Sequence, residues 1–377
     1  MAAFDPLAVT GLGMISALGH SAVSSCAAAR AGISLASKLE SLAFSTEGRF
    51  GLETLDGPPA VFGHVIRGIA DGFVGVGQAL LLGAAALKDL LAQRPLSERD
   101  LARTGLCLNL SDHFIQDADP ELPSNDGATP SAVWKQACSQ FISRLCASTG
   151  LSTIPEAQRQ IYHGGSAGLA IAVRNAAARI AAGKIDRCLV GGIDSRTGAD
   201  FLWAAARLNM LRTNDNPVGL MPGEAAAFFL LERLTDASRS GIMTSALLTG
   251  AYNDREPIGL LGDVPPTGVA LGCVIKAALA TNPSTGLIIG DLNGTQQRAM
   301  EWGLAAVRVQ SEFGITDLPS WVPAISFGDS GAAAGGVGIV MASRAFARRY
   351  SPADEALIWL SSEAGDKGAI TIRTHGR

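Results

Sequence analysis

The chain has 377 residues, is 47% hydrophobic and carries a formal net charge of −4. That is enough apolar material for a large core in one or two domains. The mild acidity, with no long run of one sign, argues against nucleic acid as an electrostatic partner. Six cysteines (Cys26, Cys107, Cys138, Cys146, Cys188, Cys273) are scattered without a CxxC pair, so most read as small core residues and no metal site is expected. The start lacks a basic segment followed by a cleavable apolar core. Apolar runs are broken by Gly, Arg or Asp before they reach membrane-spanning length. A cytoplasmic protein with no membrane partner is expected.

In chain order, residues 7–15 (LAVTGLGMI) read as a buried strand ending in glycines, and residues 21–31 as a helix capped by Ser21. Gly11-Leu12-Gly13 is not a dinucleotide fingerprint, because the third glycine and the ribose-binding acid are missing, and no cofactor is expected. Residues 33–67 show weak periodicity and read as an insertion. A helix is predicted over 70–91, a strand over 104–110, and a polar loop over 111–128 with Asp112, Asp117, Asp119 and Glu121. Residues 131–148 read as a helix capped by Ser131.

Next comes the stretch on which the reading turns, IYHGGSAGLAIAVRNAAARIAAGKIDRCLVGGIDS at 161–195. A bend of small residues, His163-Gly164-Gly165-Ser166, leads into an apolar helix over 167–182 that Gly183 ends. Residues 187–191 read as a buried strand, with Gly192, Asp194 and Ser195 in the turn after it. Residues 227–234 and 244–252 read as strands around a turn at 236–241. Helices are predicted over 267–280 and 296–308, and strands over 286–290, 323–326, 357–361 and 369–373. The last helix runs to about residue 348. His20, His64, His113 and His375 are isolated and read as packing or surface residues.

The elbow resembles the nucleophile elbow of the thiolase-like condensing enzymes, the β-ketoacyl synthases in particular. Those carry an Ala-Cys-x-Ser/Thr-Gly run here, then an Ala-rich helix and a Gly-Gly turn. VTGLGMISALG near the start, Arg212-Thr213-Asn214-Asp215-Asn216-Pro217 and Gly223-Glu224-Ala225-Ala226 are similar to further segments of the same family. The resemblance implies an α/β, thiolase-like fold. Two similar βαβαβ-type halves, 1–252 (with insertions about 33–67 and 111–128) and 253–377, would form a five-layer α-β-α-β-α sandwich.

Aligned without gaps, Ser166 stands where the family has its cysteine. The family's His-Gly-Thr loop corresponds to Asp291-Leu292-Asn293-Gly294-Thr295, placing Asn293 at one catalytic histidine. The Gly-His-x-x-Gly-Ala-Ala loop corresponds to Phe327-Gly328-Asp329-Ser330-Gly331-Ala332-Ala333. Gly328 takes the second histidine's place without a gap, and Asp329 takes it with one residue removed. Residues 362–368 replace a Gly-Phe-Gly-Gly loop and have lost its phenylalanine.

A serine stays protonated near neutral pH and needs a base to attack an acyl group. An amide at 293 shuttles no proton, and a carboxylate at 329 repels a developing oxyanion. Two replacement sites follow from the residues: Ser166 with His163 and Asp329, or Asp291 and Asp329 as acid and base. The plain alternative is that Ser166 caps a helix, His163 binds a backbone group and the carboxylates cap helices or pair with cations.

The resemblance then implies an inactive synthase-like protein, or pseudoenzyme, serving as a binding, scaffold or accessory protein. One such role is an effector-associated chaperone or adaptor of type VI secretion. The alternative is a partner subunit like the chain-length factors, or an atypical serine acyltransferase, in fatty-acid or polyketide synthesis. Its partner would be an effector or adaptor, or a synthase or acyl carrier protein. A homodimer is expected through the strand near Ile161.

Overall fold

The computed structural model describes residues 2–39, 60–111, 132–262 and 264–376. Residues 40–59 and 112–128 of the two expected insertions, with His113 and the cap Ser131, lie outside them.

In chain order the strands are β1 (Ala2–Ser16), β2 (Ser37–Lys38), β3 (Phe62–Gly63), β4 (Thr104–Leu110), β5 (Arg159–Tyr162), β6 (Arg187–Ser195), β7 (Glu224–Arg233), β8 (Ala246–Arg255), β9 (Leu287–Gly290), β10 (Ser320–Trp321), β11 (Glu355–Ser361) and β12 (Asp366–Arg373). The principal helices are α1 (Ala22–Arg30), α2 (Gly75–Gln93), α3 (Ala132–Thr149), α4 (Gly168–Ala181), α5 (Ala199–Arg207), α6 (Val269–Thr281), α7 (Gln296–Phe313) and α8 (Ala334–Ala347).

Ten strands join in the order β10-β9-β11-β12-β8-β1-β7-β6-β4-β5, and β2 and β3 form a small separate ribbon. The pairing repeats itself about the β1–β8 seam. On one side β5, β4 and β6 run parallel, β6 pairs antiparallel with β7, and β7 with β1. On the other side β10, β9 and β11 run parallel, β11 pairs antiparallel with β12, and β12 with β8. By this symmetry β8 is the counterpart of β1. The division drawn at 252 from the sequence falls inside β8.

Five layers follow from the packing. Helix α4 lies between the halves, touching β4 and β6 on one side and β8 and β12 on the other; α8 beside it touches β7 and β11. Such a helix must be apolar all round, and Leu169, Ala172, Val173, Ala176 and Ile180 of α4 are buried in this central core. Helices α2 and α3 cover the outer face of the first half, and α6 and α7 that of the second. Helix α2 is the one helix among the described residues long and apolar enough to cross a membrane, and here it packs on β1, β6 and β7.

Most predicted elements occur within a few residues of their expected ends. Gly183, at φ +67, closes α4 with bonds from Gly183 N to Ile180 O and Lys184 N to Arg179 O, a Schellman cap. Three expectations are corrected. Strand β6 does not stop at Gly191, because β7 pairs with it as far as Ser195. Gly192 stays extended because loop 331–333 lies on it: a Cβ there would sit 2.2 Å from the Ala332 oxygen. Residues 323–326 are not a strand but begin the helical turn Ala324–Phe327, since Pro323 holds helical φ/ψ of −55/−33. The turn at 236–241 is mostly a short helix, Leu234–Arg239.

Candidate functional site

Three loops and one strand end meet at the N-terminus of α4: the elbow, the segment after β9, the segment before α8 and the β11–β12 hairpin. Gly165, at φ +52, makes the elbow bend, and a Cβ there would fall 2.6 Å from Ser362 of the hairpin. Position 165 therefore needs glycine for its conformation and for the close approach. The bend turns Ser166 inward, where it is 1% exposed.

Ser166 Oγ lies 2.6 Å from Asp291 Oδ2 and 3.0 Å from the Ser361 carbonyl, so its single proton has two acceptors. Asp291 Oδ2 also accepts from Ser361 N at 3.0 Å. Elbow, β9 end and β11 end are thus tied together at one carboxylate oxygen. Burial pushes the Asp291 carboxyl up to about 6, with Arg298 opposing and Asp329 adding to the rise.

Around this bond lies a buried ionic network. Arg298 Nη1 is 3.5 Å from Asp291 Oδ1, and its Nη2 donates to Glu363 Oε1 at 2.8 Å. Arg196 holds Glu363 through both oxygens, at 2.9 and 3.3 Å. Arg196 Nη1 also donates to Asp329 Oδ2 at 2.8 Å, and its Nε lies 3.7 Å from Asp194. Asn293 Nδ2 donates to the same Asp329 oxygen at 2.6 Å, while Asn293 Oδ1 accepts from Thr295. Burial raises the cost of charge on Glu363, but Arg196 and Arg298 outweigh it and hold its carboxyl well below the usual range. The same carboxylates raise the pKa of Arg196 against the opposing effect of burial. Beneath the network Lys367 Nζ meets Glu301 at 2.7 Å with both side chains fully buried.

The structure brings Asn293 and Asp329 into direct contact and links them to Ser166 through Arg196, Glu363, Arg298 and Asp291. It separates His163 from this group. His163 Nδ1 bonds to the Leu110 carbonyl at 3.0 Å and its Nε2 faces Cys138 Sγ at 3.5 Å, so the hydroxyl partner of Ser166 is Asp291. Asp291 and Asp329 each face an arginine. His64 is buried, neither ring nitrogen has a hydrogen-bond partner among the described residues, and burial lowers its pKa. It is a neutral core side chain.

A carboxylate beside a serine is a proton acceptor, so the base that Ser166 needs is present. The cavity bordering Asp291, Asn293, Asp329 and Ser330 holds about 20 Å³. That admits about one water molecule, whereas small-ligand sites run to roughly 300 Å³ and more.

Sequence reasoning named Ser166, Asp291, Asn293 and Asp329 but missed Arg196, Arg298, Glu363, Glu301 and Lys367. The available signal was local: Lys367 precedes the apolar run GAITI in β12, and Arg298 and Glu301 share one face of α7 at i, i+3 spacing.

Because its pKa is raised on folding, Asp291 stabilises the native state most when protonated. Its contribution is full below pH about 4 and is lost as pH rises through about 6. Across that window Asp291→Asn is expected to flatten the slope of unfolding free energy against pH, measured by urea titration.

No protein-family model matches the chain. A curated relative, the phenolphthiocerol synthesis polyketide synthase type I Pks15/1 of Mycobacterium marinum, is 27% identical over 224 residues, covering 55% of this chain and 10% of that protein. The chain thus spans a small part of the relative's length. Solved structures match over nearly the whole chain. One is AntDE:AntF, described as a type II polyketide acyl-carrier protein in complex with its ketosynthase bound to the hexaketide. It has a TM-score of 0.77 and 18% identity, with 99% of this chain and 100% of that one covered. The ishigamide ketosynthase/chain length factor gives 0.74 and 18%, with the same coverage. The oxazolomycin ketosynthase domain OzmH KS7 of Streptomyces albus gives 0.77 and 15%, with 99% and 74% covered. The protein therefore has the thiolase-like ketosynthase fold.

Proposed function

We propose that the chain is a non-condensing protein of ketosynthase fold that works through contact with another protein. The observation that supports this is the buried Arg196–Glu363–Arg298 network beside the enclosed Ser166 hydroxyl. Condensation needs a nucleophile that can reach an acyl carbonyl, a proton shuttle and space for both substrates. Here the hydroxyl is enclosed, the flanking positions are Asn293 and Asp329, and the hairpin contributes Glu363.

The partner we propose is a synthase of the same fold, as a chain-length factor has, with an acyl carrier protein at the joint surface. The neighbours described as a ketosynthase/chain length factor and as a carrier-protein complex support this choice of class. Strand β5 suits the contact: it ends the ten-stranded sheet, and all four of its residues are half-buried. An edge with open main-chain groups is a template for pairing with another chain. The chaperone or adaptor role would use the same inert centre with a different partner.

The test supplies acyl and malonyl thioesters of a carrier protein to the wild type and to Ser166→Cys. Neither is expected to release condensed product, because the thiol would still lack a shuttle and a cavity. Product from Ser166→Cys at the rate of an active synthase would overturn the proposal. Native mass spectrometry with a synthase from the same gene neighbourhood is expected to show a one-to-one complex.

A further inference from the structure

A second cluster of reactive side chains lies outside the ionic centre, in a pocket of about 360 Å³ between α3 and β5. Cys138, on α3, and His163, just past β5, both line it. The Leu110 carbonyl has no proton to give, so His163 Nδ1 must be the donor in the 3.0 Å bond between them. In the neutral ring that leaves Nε2 as an acceptor, and Nε2 is the atom 3.5 Å from Cys138 Sγ. A thiol, a base that accepts from it and a group that fixes the base's tautomer stand in line. This is the arrangement that activates a nucleophile.

We infer that Cys138 is a reactive thiol, with His163 as its base, that undergoes exchange with small anionic disulfides entering this pocket. Exchange demands a thiolate, a place for the proton and room for the leaving sulfur; it needs no oxyanion hole. In the step, Cys138 passes its proton to His163 Nε2 and the thiolate attacks one sulfur of the disulfide. A bond from Sγ to that sulfur forms as the reagent's S–S bond breaks. The departing thiolate takes the proton back from the imidazolium. Cys138 is oxidised to a mixed disulfide and half of the reagent is reduced to a thiol. Lys135 and Arg159 outnumber Glu156 around the pocket, which favours an anionic reagent.

The other cysteines provide internal controls. Cys26, Cys107, Cys146 and Cys188 are buried, and Cys273 is exposed. Burial pushes the Cys26 thiol up to about 12 and raises that of Cys146. An ordinary exposed thiol is only a few per cent thiolate near pH 7, so a neighbouring imidazole can speed exchange by roughly tenfold.

The experiment treats the folded chain with glutathione disulfide at pH 7, quenches with acid and maps the mixed disulfides by peptide mass spectrometry. Cys138 is expected to be modified roughly tenfold faster than Cys273, although Cys273 is the more exposed. His163→Asn, which keeps a donor toward Leu110 but has no base at Nε2, is expected to remove that advantage and leave the Cys273 rate unchanged. Equal rates at Cys138 and Cys273 in the wild type would overturn the inference, whatever the variant does. So would an unchanged Cys138 rate in a folded His163→Asn.

Discussion

Replacing Glu363 by alanine is expected to lower the unfolding free energy by about 3–5 kcal/mol, the usual cost of removing one partner of a buried ion pair. Glu363 lies between two guanidiniums, with Arg196 on both its oxygens and Arg298 on one. Arg298 is 1% exposed and Arg196 6%. Without Glu363 two almost fully buried cations face each other. Asp291 and Asp329 remain as partial counter-charges, which places the loss in that range rather than above it. Glu363→Gln keeps the volume and an acceptor but removes the charge, and is expected to fall between alanine and wild type. Urea denaturation followed by circular dichroism measures both. A loss below about 1 kcal/mol for Glu363→Ala would show that the network is solvated and the hairpin mobile.

Lys367→Met alone is expected to cost about as much, 3–5 kcal/mol, and the double variant Lys367→Met/Glu301→Leu to recover most of it. The reason lies in the environment. Lys367 Nζ and Glu301 Oε1 are 2.7 Å apart with no exposure on either side chain. Burial lowers the Lys367 pKa and the attraction of Glu301 resists that fall. Desolvating two charges is so costly that the pair adds little net stability, whereas stranding one of them is severe. Ser361 Oγ accepts from Lys367 at 2.8 Å and donates to Glu301, so the double variant leaves one hydroxyl to find a new partner. A double-mutant cycle gives the coupling directly. Additive losses in the two single variants would contradict a paired burial.

The fold was readable where the physics is local. The Ala-rich stretch ending at Gly183 announces a buried helix, and short apolar runs announce β4, β9 and β11. Strand β6 was cut short because Gly191-Gly192 reads as a turn. Only the pairing partner β7 and the close approach of loop 331–333 show why glycines sit inside a strand. Pro323 misled for the opposite reason: an apolar tetrapeptide reads as a strand until its proline is seen to start a helical turn.

At the centre, the resemblance located Ser166, Asn293 and Asp329, and the structure puts Asn293 and Asp329 in contact. The charged neighbours of these residues were not readable. Arg196, Arg298 and Glu363 come from three distant segments, and a single sequence does not say which charges neutralise each other. The triad of Ser166, His163 and Asp329 failed on direction. His163 precedes the sharp bend at Gly165, so its ring lies on the α3 side of β5 while Ser166 faces the core.

The most direct measurement is incubation of the folded chain with an acyl thioester in excess, followed by intact mass and peptide mapping of residue 166. The expected outcome is an unmodified hydroxyl, because Ser166 is 1% exposed and its hydroxyl is held by Asp291. An acyl group found on Ser166, and absent from Asp291→Asn, would contradict that and make the pair a working nucleophile and base.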